Sequence, residues 1–370
     1  MFPGYQERGG LQKRARDLML ALAETHDVFV LAWRPRVRPS VARDGKITII
    51  SLPRLISPGE GGSGLASFLD AAGIMVTGVV AAVLLRKRWK SAYAEGLSPA
   101  GVTAALAGKV LRRRVVLNTW LPGKCGNVAR LMASPTSSWQ RRILRRCTVL
   151  YGTLEVGREL KAAGFEERTM RQLDWGVDLD YYAPPSTAAR EDVRRRLGFA
   201  DEVVCLYSGR FDLAQKRLDL LLRAWGEAEV DNATLVLVGE GKDSATVRAM
   251  CAEVEPRPRV EGWVADVRPF LAAADLFLLP TNAESGAASV REGMAMRLPG
   301  LVSAIPSYLE MAPEGVELVE NEVSAWVAAL QRRCTTTRDR LAADGERARS
   351  WVLQRAHERD AFERVRSLLG

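Results

Sequence analysis

Histidine is almost missing from this chain: His26 and His357 are the only two in 370 residues. Chemistry that leans on an imidazole base, or on a histidine-built metal centre, therefore has little to draw on. Cysteine is scarce as well. Cys125, Cys147, Cys205, Cys251 and Cys334 are scattered, odd in number and never spaced C-x-x-C. That pattern excludes a disulfide framework and a zinc ribbon, and it suits a reducing compartment. No apolar run reaches the ~20 residues that span a bilayer. The longest, Ala71–Leu85, abuts Asp70 and ends in Arg86-Lys87-Arg88-Trp89-Lys90. It reads as a core helix, with an interfacial membrane helix as the alternative. Met1-Phe2-Pro3-Gly4-Tyr5 has none of the pattern of a secretory signal. Basic clusters with interleaved aromatics are also lacking, which argues against a nucleic-acid partner.

What is present is ordinary for a soluble protein: 47% hydrophobic and 26% charged residues, over a length that suits two domains. The net charge of +9 comes from separate clusters, Arg86–Arg88, Arg112–Arg114, Arg141-Arg142 with Arg145-Arg146, and Arg194–Arg196. Solvated helix ends account for most of them. Attraction to an anionic substrate or an anionic membrane surface accounts for the sign.

The most informative stretch is Leu276–Pro299, LFLLPTNAESGAASVREGMAMRLP. Its apolar opening, closed by Pro280, reads as a buried parallel strand. Val290, Met294 and Leu298 then fall on one face of a helix. Glu284 sits in the loop and Glu292 inside the helix. At helical rise the two are roughly 12 Å apart, about the reach of a nucleotide sugar from hexose to ribose. The small residues from Ser285 to Ser289 offer free N–H groups to a diphosphate. Glu292 could accept hydrogen bonds from both ribose hydroxyls.

Glu284-x7-Glu292, with Gly293-Met294-Ala295 and Leu298-Pro299-Gly300, resembles the E-x7-E element of family 4 glycosyltransferases. The resemblance extends upstream. Gly209-Arg210-Phe211-Asp212-Leu213-Ala214-Gln215-Lys216 is similar to the family's G-R-x-x-x-x-K loop, one residue longer, and Trp175-Gly176-Val177-Asp178 to Tyr182-Ala183-Pro184 is similar to the segment that closes its first domain. It implies the GT-B fold, an α/β architecture of two Rossmann-like domains facing each other across a cleft. The expected division is residues 1–183 for the acceptor side, 184–200 as linker, 201–350 for the nucleotide sugar, and 351–370 as a helix crossing back.

The activity implied is retaining transfer of a hexose from a nucleoside-diphosphate sugar to a hydroxyl acceptor: a glycan, a lipid-linked sugar or a small molecule. UDP-sugar is the first choice of donor, with GDP- and dTDP-sugars as alternatives. No metal and no further cofactor are expected. Arg210 and Lys216 would meet the diphosphate, Arg as a fork and Lys as a point charge. Glu284 would hold the sugar or steady charge at its anomeric carbon, and Glu292 the ribose. Ser285, Gly286 and Ala287 would contact the phosphates, and Trp263 and Val264 would receive the base. Core packing is the competing reading of Trp263. Gly9 and Gly10 would form a phosphate-approach turn ahead of a helix carrying Leu11, Ala15, Leu18 and Leu22. The location expected is cytoplasmic, peripheral to the inner membrane face through the basic first domain. Oligomeric state is left open.

The departures leave two other readings in play, a non-catalytic GT-B protein and an enzyme like a nucleotide-sugar epimerase. Pro306-Ser307 stands where relatives carry a glycine pair, and no histidine is available near the strand end at Val115–Leu117. Thr119, Lys124 and Asn127 are the polar candidates there. The family's first, central strand precedes its Gly-Gly turn, whereas here Pro3, Gly4, Gly9 and Gly10 break up the few residues before the helix. The reading therefore expects a first domain lacking that strand, and a natural start roughly ten residues upstream.

Overall fold

The computed structural model describes residues 10–35, 38–54, 65–124, 126–284, 288–355 and 357–370. The expected turn at Gly9 and the expected loop from Ser57 to Gly64 lie outside these. The chain divides into two compact units, residues 1–174 with 360–370, and residues 175–359.

The second unit holds β8 (Val203–Ser208), β9 (Ala233–Val238), β10 (Arg259–Gly262), β11 (Leu276–Leu279), β12 (Gly300–Ser303) and β13 (Val316–Val319). They form one parallel sheet in the order β10-β9-β8-β11-β12-β13. That is the doubly wound order, in which the chain reverses direction across the sheet between β8 and β11. Continuous apolar runs such as Leu276–Leu279 are fully buried, as strands covered by helices on both faces must be. Val290, Met294 and Leu298 are buried on the face the helical spacing predicts.

The stretch expected to be a linker is mostly helix, Thr187–Leu197, capped by Ser186 at one end and Gly198 at the other. Its Arg194 is 5% exposed and donates to the carbonyls of Ala200, Glu202 and Ala273 and to Asp275. Arg190 donates to the other Asp275 oxygen at 2.6 Å. The Pro pair and the charges of this segment look like a linker in sequence. A buried, fully satisfied guanidinium makes it part of the second unit instead.

The first unit has β1 (Val28–Pro35), β2 (Ser40–Asp44), β3 (Ile47–Arg54), β4 (Ser91–Glu95), β5 (Arg114–Thr119), β6 (Thr148–Tyr151) and β7 (Met170–Gln172). These make two separate sheets, β1-β3-β2 and β4-β5-β6-β7. Among the described residues no strand pairs with the second edge of β1 or of β4. The helix Leu65–Leu84 is longer than the apolar run suggested and packs Ile74 and Ala81 against Leu31, Trp33 and Leu52. Gly78 permits this approach, since a Cβ there would lie 2.5 Å from the Thr103 methyl and 2.6 Å from the Trp33 ring. The opposite face of the helix is exposed at Val76, Val80 and Leu84. No described helix is long and apolar enough to cross a membrane.

Removing one member of a buried ion pair typically costs about 3–5 kcal/mol. Arg194→Ala should therefore lower the unfolding free energy of the second unit by about that amount in urea denaturation. A loss below about 1 kcal/mol would mean that the 187–197 helix is an independent linker after all.

Candidate active site

The loops leaving the carboxyl ends of β8, β9 and β10 are tied together through their backbones. Gly209 N–H donates to Val238, Gly239 N–H to Gly262, and Phe211 N–H to Glu240. Gly239 has φ +146°, and a Cβ on it would sit 1.8 Å from the Gly209 carbonyl oxygen, so only glycine fits this crossing. Arg210 stands exposed on the first of these loops. Asp212 then caps a single helical turn, Leu213–Lys216, which turns the Lys216 side chain inward.

Lys216 and Glu284 meet there. The Lys216 ammonium donates to Glu284 Oε1, and both residues are 8% exposed. Their loops follow β8 and β11, the two strands on either side of the reversal in strand order. The surrounding bonds show how firmly the loops are joined. Asn282 N–H and the Thr281 hydroxyl both donate to the Gln215 carbonyl, at 2.8 and 3.0 Å, and Gln215 Nε2 returns a bond to Ala283 at 3.0 Å. On the other side Thr281 N–H donates to Ser303 Oγ, which donates to Asn321, and Asn321 donates back to the Thr281 carbonyl. Glu284 is thus held over the sheet by loops from three strand ends.

Burial raises the phenol pKa values of Tyr207 and Tyr308, and the Glu284 charge adds to the rise in both. The hydroxyls of Ser307 and Tyr308 are buried without a hydrogen-bond partner among the described residues. Buried polar groups of this kind mark places where a ligand or water completes the bonding.

Glu292 is half-buried on the helix Ala288–Ala295. The Tyr182 hydroxyl donates to it, and burial followed by the Glu292 charge pushes the Tyr182 pKa up. Gly293 lets this helix lie close on β11: a Cβ would be 3.1 Å from the Phe277 ring. Next to Tyr182, the Arg268 guanidinium lies 4.0 Å from the Tyr181 ring centre and pairs with Asp266, whose carboxyl it holds below its ordinary value. Trp263 is 44% exposed just beyond β10, so core packing does not account for it, while Val264 packs partly against the core.

Lys216, Glu284 and the Arg210 loop therefore come together at one end of the second sheet. Ser285, Gly286 and Ala287 lie outside the described residues. Gly10 opens the helix Gly10–Ala23 of the first unit. Two of the polar candidates near β5 serve the framework: Thr119 donates to the Leu150 carbonyl, and Asn127 Oδ1 accepts from Trp120 N–H. Lys124 is exposed. Tyr182 was missed by sequence reasoning, although its place in the D-x-x-x-Y segment was a signal. Missed also was Glu95, which accepts from Tyr93 at 2.7 Å, from Asn118 at 3.1 Å and from Trp120. Burial raises the Glu95 pKa against those bonds, which pull it down.

Residues 202–335, spanning Arg210, Lys216, Trp263, Glu284 and Glu292, match the family model described as "Glycosyl transferases group 1". The matched segment lies within the second unit. Two curated proteins of Bacillus subtilis (strain 168) are similar in sequence. One is "Putative glycosyltransferase EpsF", 26% identical over 217 residues, 54% of this chain and 54% of that protein. The other is "Putative teichuronic acid biosynthesis glycosyltransferase TuaC", 31% identical over 142 residues, 38% of this chain and 33% of that protein. The match thus spans about half the length of the first relative and a third of the second. Among solved structures, Anabaena HepE in complex with UDP-glucose aligns over 100% of this chain and 98% of its own, with TM-score 0.76 and 17% identity. At that identity the fold is what is shared, and it is GT-B, with two Rossmann-like domains.

A double-mutant cycle on the buried pair would weigh its contribution. Lys216→Met alone should destabilise by about 3–5 kcal/mol, because it strands the Glu284 carboxylate. Adding Glu284→Leu should recover part of that loss. Strict additivity of the two changes in urea denaturation would show that the side chains do not interact.

Proposed function

We propose that this chain is a metal-independent, retaining glycosyltransferase that moves a sugar from a nucleoside-diphosphate donor to a hydroxyl acceptor. The observation that carries the reading is the buried Lys216–Glu284 pair, with Arg210 exposed beside it, where the sheet reverses its order. Ligands of open α/β sheets bind at that place. The UDP-glucose bound to HepE supports a UDP-sugar as first choice of donor.

Sugar transfer requires a stabilised diphosphate leaving group and an oxocarbenium-like centre held in place. Arg210 offers a planar fork to phosphate oxygens. Lys216 spends one of its three N–H donors on Glu284 and keeps two for the diphosphate. As the C1–O bond breaks, its electron pair goes to the departing phosphate oxygen, and these cations take up the charge without reorganising. The acceptor oxygen bonds to C1 from the same face, and its proton passes to the departing phosphate. Glu284 steadies the anomeric centre and orients Lys216. Glu292, braced by Tyr182, binds the ribose, and Trp263 offers an exposed ring to the base.

The chain is further proposed to work in the cytoplasm, resting on anionic lipid through its first unit. Phe68, Leu69, Val76, Val80 and Leu84 are exposed on the helix Leu65–Leu84, and exposed Arg86, Lys87, Arg88 and Lys90 follow directly. An apolar stripe with cations at its end suits the acyl–headgroup boundary, with about 1 kcal/mol from each cation.

Calorimetric titration of UDP, GDP and dTDP, with and without EDTA, tests the donor site. One nucleotide should bind equally well in both conditions, and no binding by any would overturn the reading. Glu292→Ala should weaken that binding by about 1.5–3 kcal/mol, roughly ten- to a hundredfold. Glu284→Gln should keep affinity within about threefold, as it retains a hydrogen-bond acceptor for Lys216, yet abolish turnover of the matching nucleotide sugar. Equal effects of both changes on binding would refute the division of roles.

Vesicle sedimentation tests the membrane contact. The chain should sediment with phosphatidylglycerol vesicles and be released by high salt or by Val80→Asp, a change at an exposed position that spares the core. Equal binding by Val80→Asp would place the contact elsewhere.

A further inference from the structure

Four arginines crowd the end of the helix Ser137–Leu144: Arg141, Arg142, Arg145 and Arg146. With Arg168 they line a cavity of about 580 Å³ in the first unit, within the size range of small-molecule sites. Ser138 and Thr169 add hydroxyl groups to the wall. Among the described residues Glu166 is the only acidic one lining it, and it pairs with Arg168. Five arginines against one glutamate leave an excess of four positive charges. Arg141 with Arg145, and Arg142 with Arg146, are four residues apart on or just past the helix, a spacing at which like charges repel.

Two of these guanidinium groups are seated, not left to wave in solvent. Arg141 Nη1 donates to the Ala163 carbonyl at 3.1 Å, and Arg145 Nη2 donates to the same oxygen at 3.3 Å. Ala163 closes the helix Leu154–Ala162, so both cations share the negative end of its dipole. Gly164, at φ +83°, makes room for them: a Cβ there would lie 2.2 Å from Arg145 Nη2. The Nε–H groups of Arg141 and Arg145 are buried without a hydrogen-bond partner among the described residues. A buried, unmatched donor points to a ligand or water that completes its bonding. Arg142 and Arg146 are exposed beside them, so an anion can reach the cluster from solvent.

The cavity lies at the amino ends of β6 and β7. Arg145 and Arg146 lead into β6 at Thr148, and Arg168 and Thr169 lead into β7 at Met170. The two strands are parallel, so this is the end opposite to the carboxyl ends, where ligands of open α/β sheets bind. We propose that the cavity binds an oligophosphate, a ligand with two or more linked phosphate groups, away from any substrate site at those carboxyl ends. Guanidinium forks take phosphate oxygens in pairs. A single phosphate, with about two negative charges, would leave half of the surplus unmatched. A soluble oligophosphate and a lipid diphosphate headgroup share this chemistry. The inference rests on the first unit alone and is independent of the donor reading.

Titration calorimetry with tripolyphosphate at about 0.15 M salt tests the site, since screening there suppresses diffuse attraction. Arg142→Ser together with Arg146→Ser, both at exposed positions, should weaken binding at least about tenfold. The charge-preserving pair Arg142→Lys and Arg146→Lys should still lose about threefold or more, because the planar fork is gone. Arg210→Ser, which strips the proposed donor site, should leave binding within about threefold, so the two readings fail separately. Orthophosphate should bind at least about tenfold more weakly than tripolyphosphate. No binding of tripolyphosphate, or binding unmoved by either pair of changes, would overturn the proposal, and so would orthophosphate binding as tightly. Farnesyl diphosphate separates the two sources. Tighter binding than pyrophosphate identifies a lipid headgroup, and equal or weaker binding a soluble oligophosphate.

Discussion

One buried ion pair organises the second unit of this molecule. An unpaired lysine or glutamate below a tenth of its full exposure would be costly, so Lys216 and Glu284 hold each other in place. That requirement draws together loops from two strands that diverge in the sheet order. The supporting bonds from Gln215, Thr281, Ser303 and Asn321 follow from it, because loops that close a buried pair must satisfy their own backbone groups. On the proposed reading a ligand phosphate would meet a cation already positioned, which is what electrostatic stabilisation of a departing anion asks of a protein.

The close glycines serve the same end. Gly239 and Gly293 are where backbone must touch backbone or ring, and each brings a strand end or helix nearer to the place where a donor would lie. Tyr182 extends the arrangement by bracing Glu292 from a segment more than a hundred residues earlier in the chain. The same economy is absent from the first unit. Its polar groups near β5 are used within the framework, and among the described residues its strands form two sheets.

Much of this was legible in the residues. Leu276–Leu279 and Val203–Ser208 are strands with the limits their apolar runs predict, since a strand buried on both faces leaves an unmixed hydrophobic signal. Other elements were hidden for equally physical reasons. β2 is an exposed edge strand with no apolar face, and only the Asp44-Gly45 turn before Ile47 announces it. β7 and β13 are three and four residues long and half-exposed, too short for a period to register. The helix Thr187–Leu197 was hidden by its charge, because the sequence does not reveal that Arg194 is matched by Asp275, eighty-one residues on.

The sequence by itself determined the fold class and singled out the motif residues Arg210, Lys216, Glu284 and Glu292. Each is a local matter of period, spacing or composition, and local patterns survive in one dimension. Only the tertiary structure decided that Lys216 and Glu284 are partners and that Glu292 leans on Tyr182. These depend on which strand ends lie side by side. That order is set by how helices cover both faces of a twisted sheet, not by any residue's neighbours in the chain.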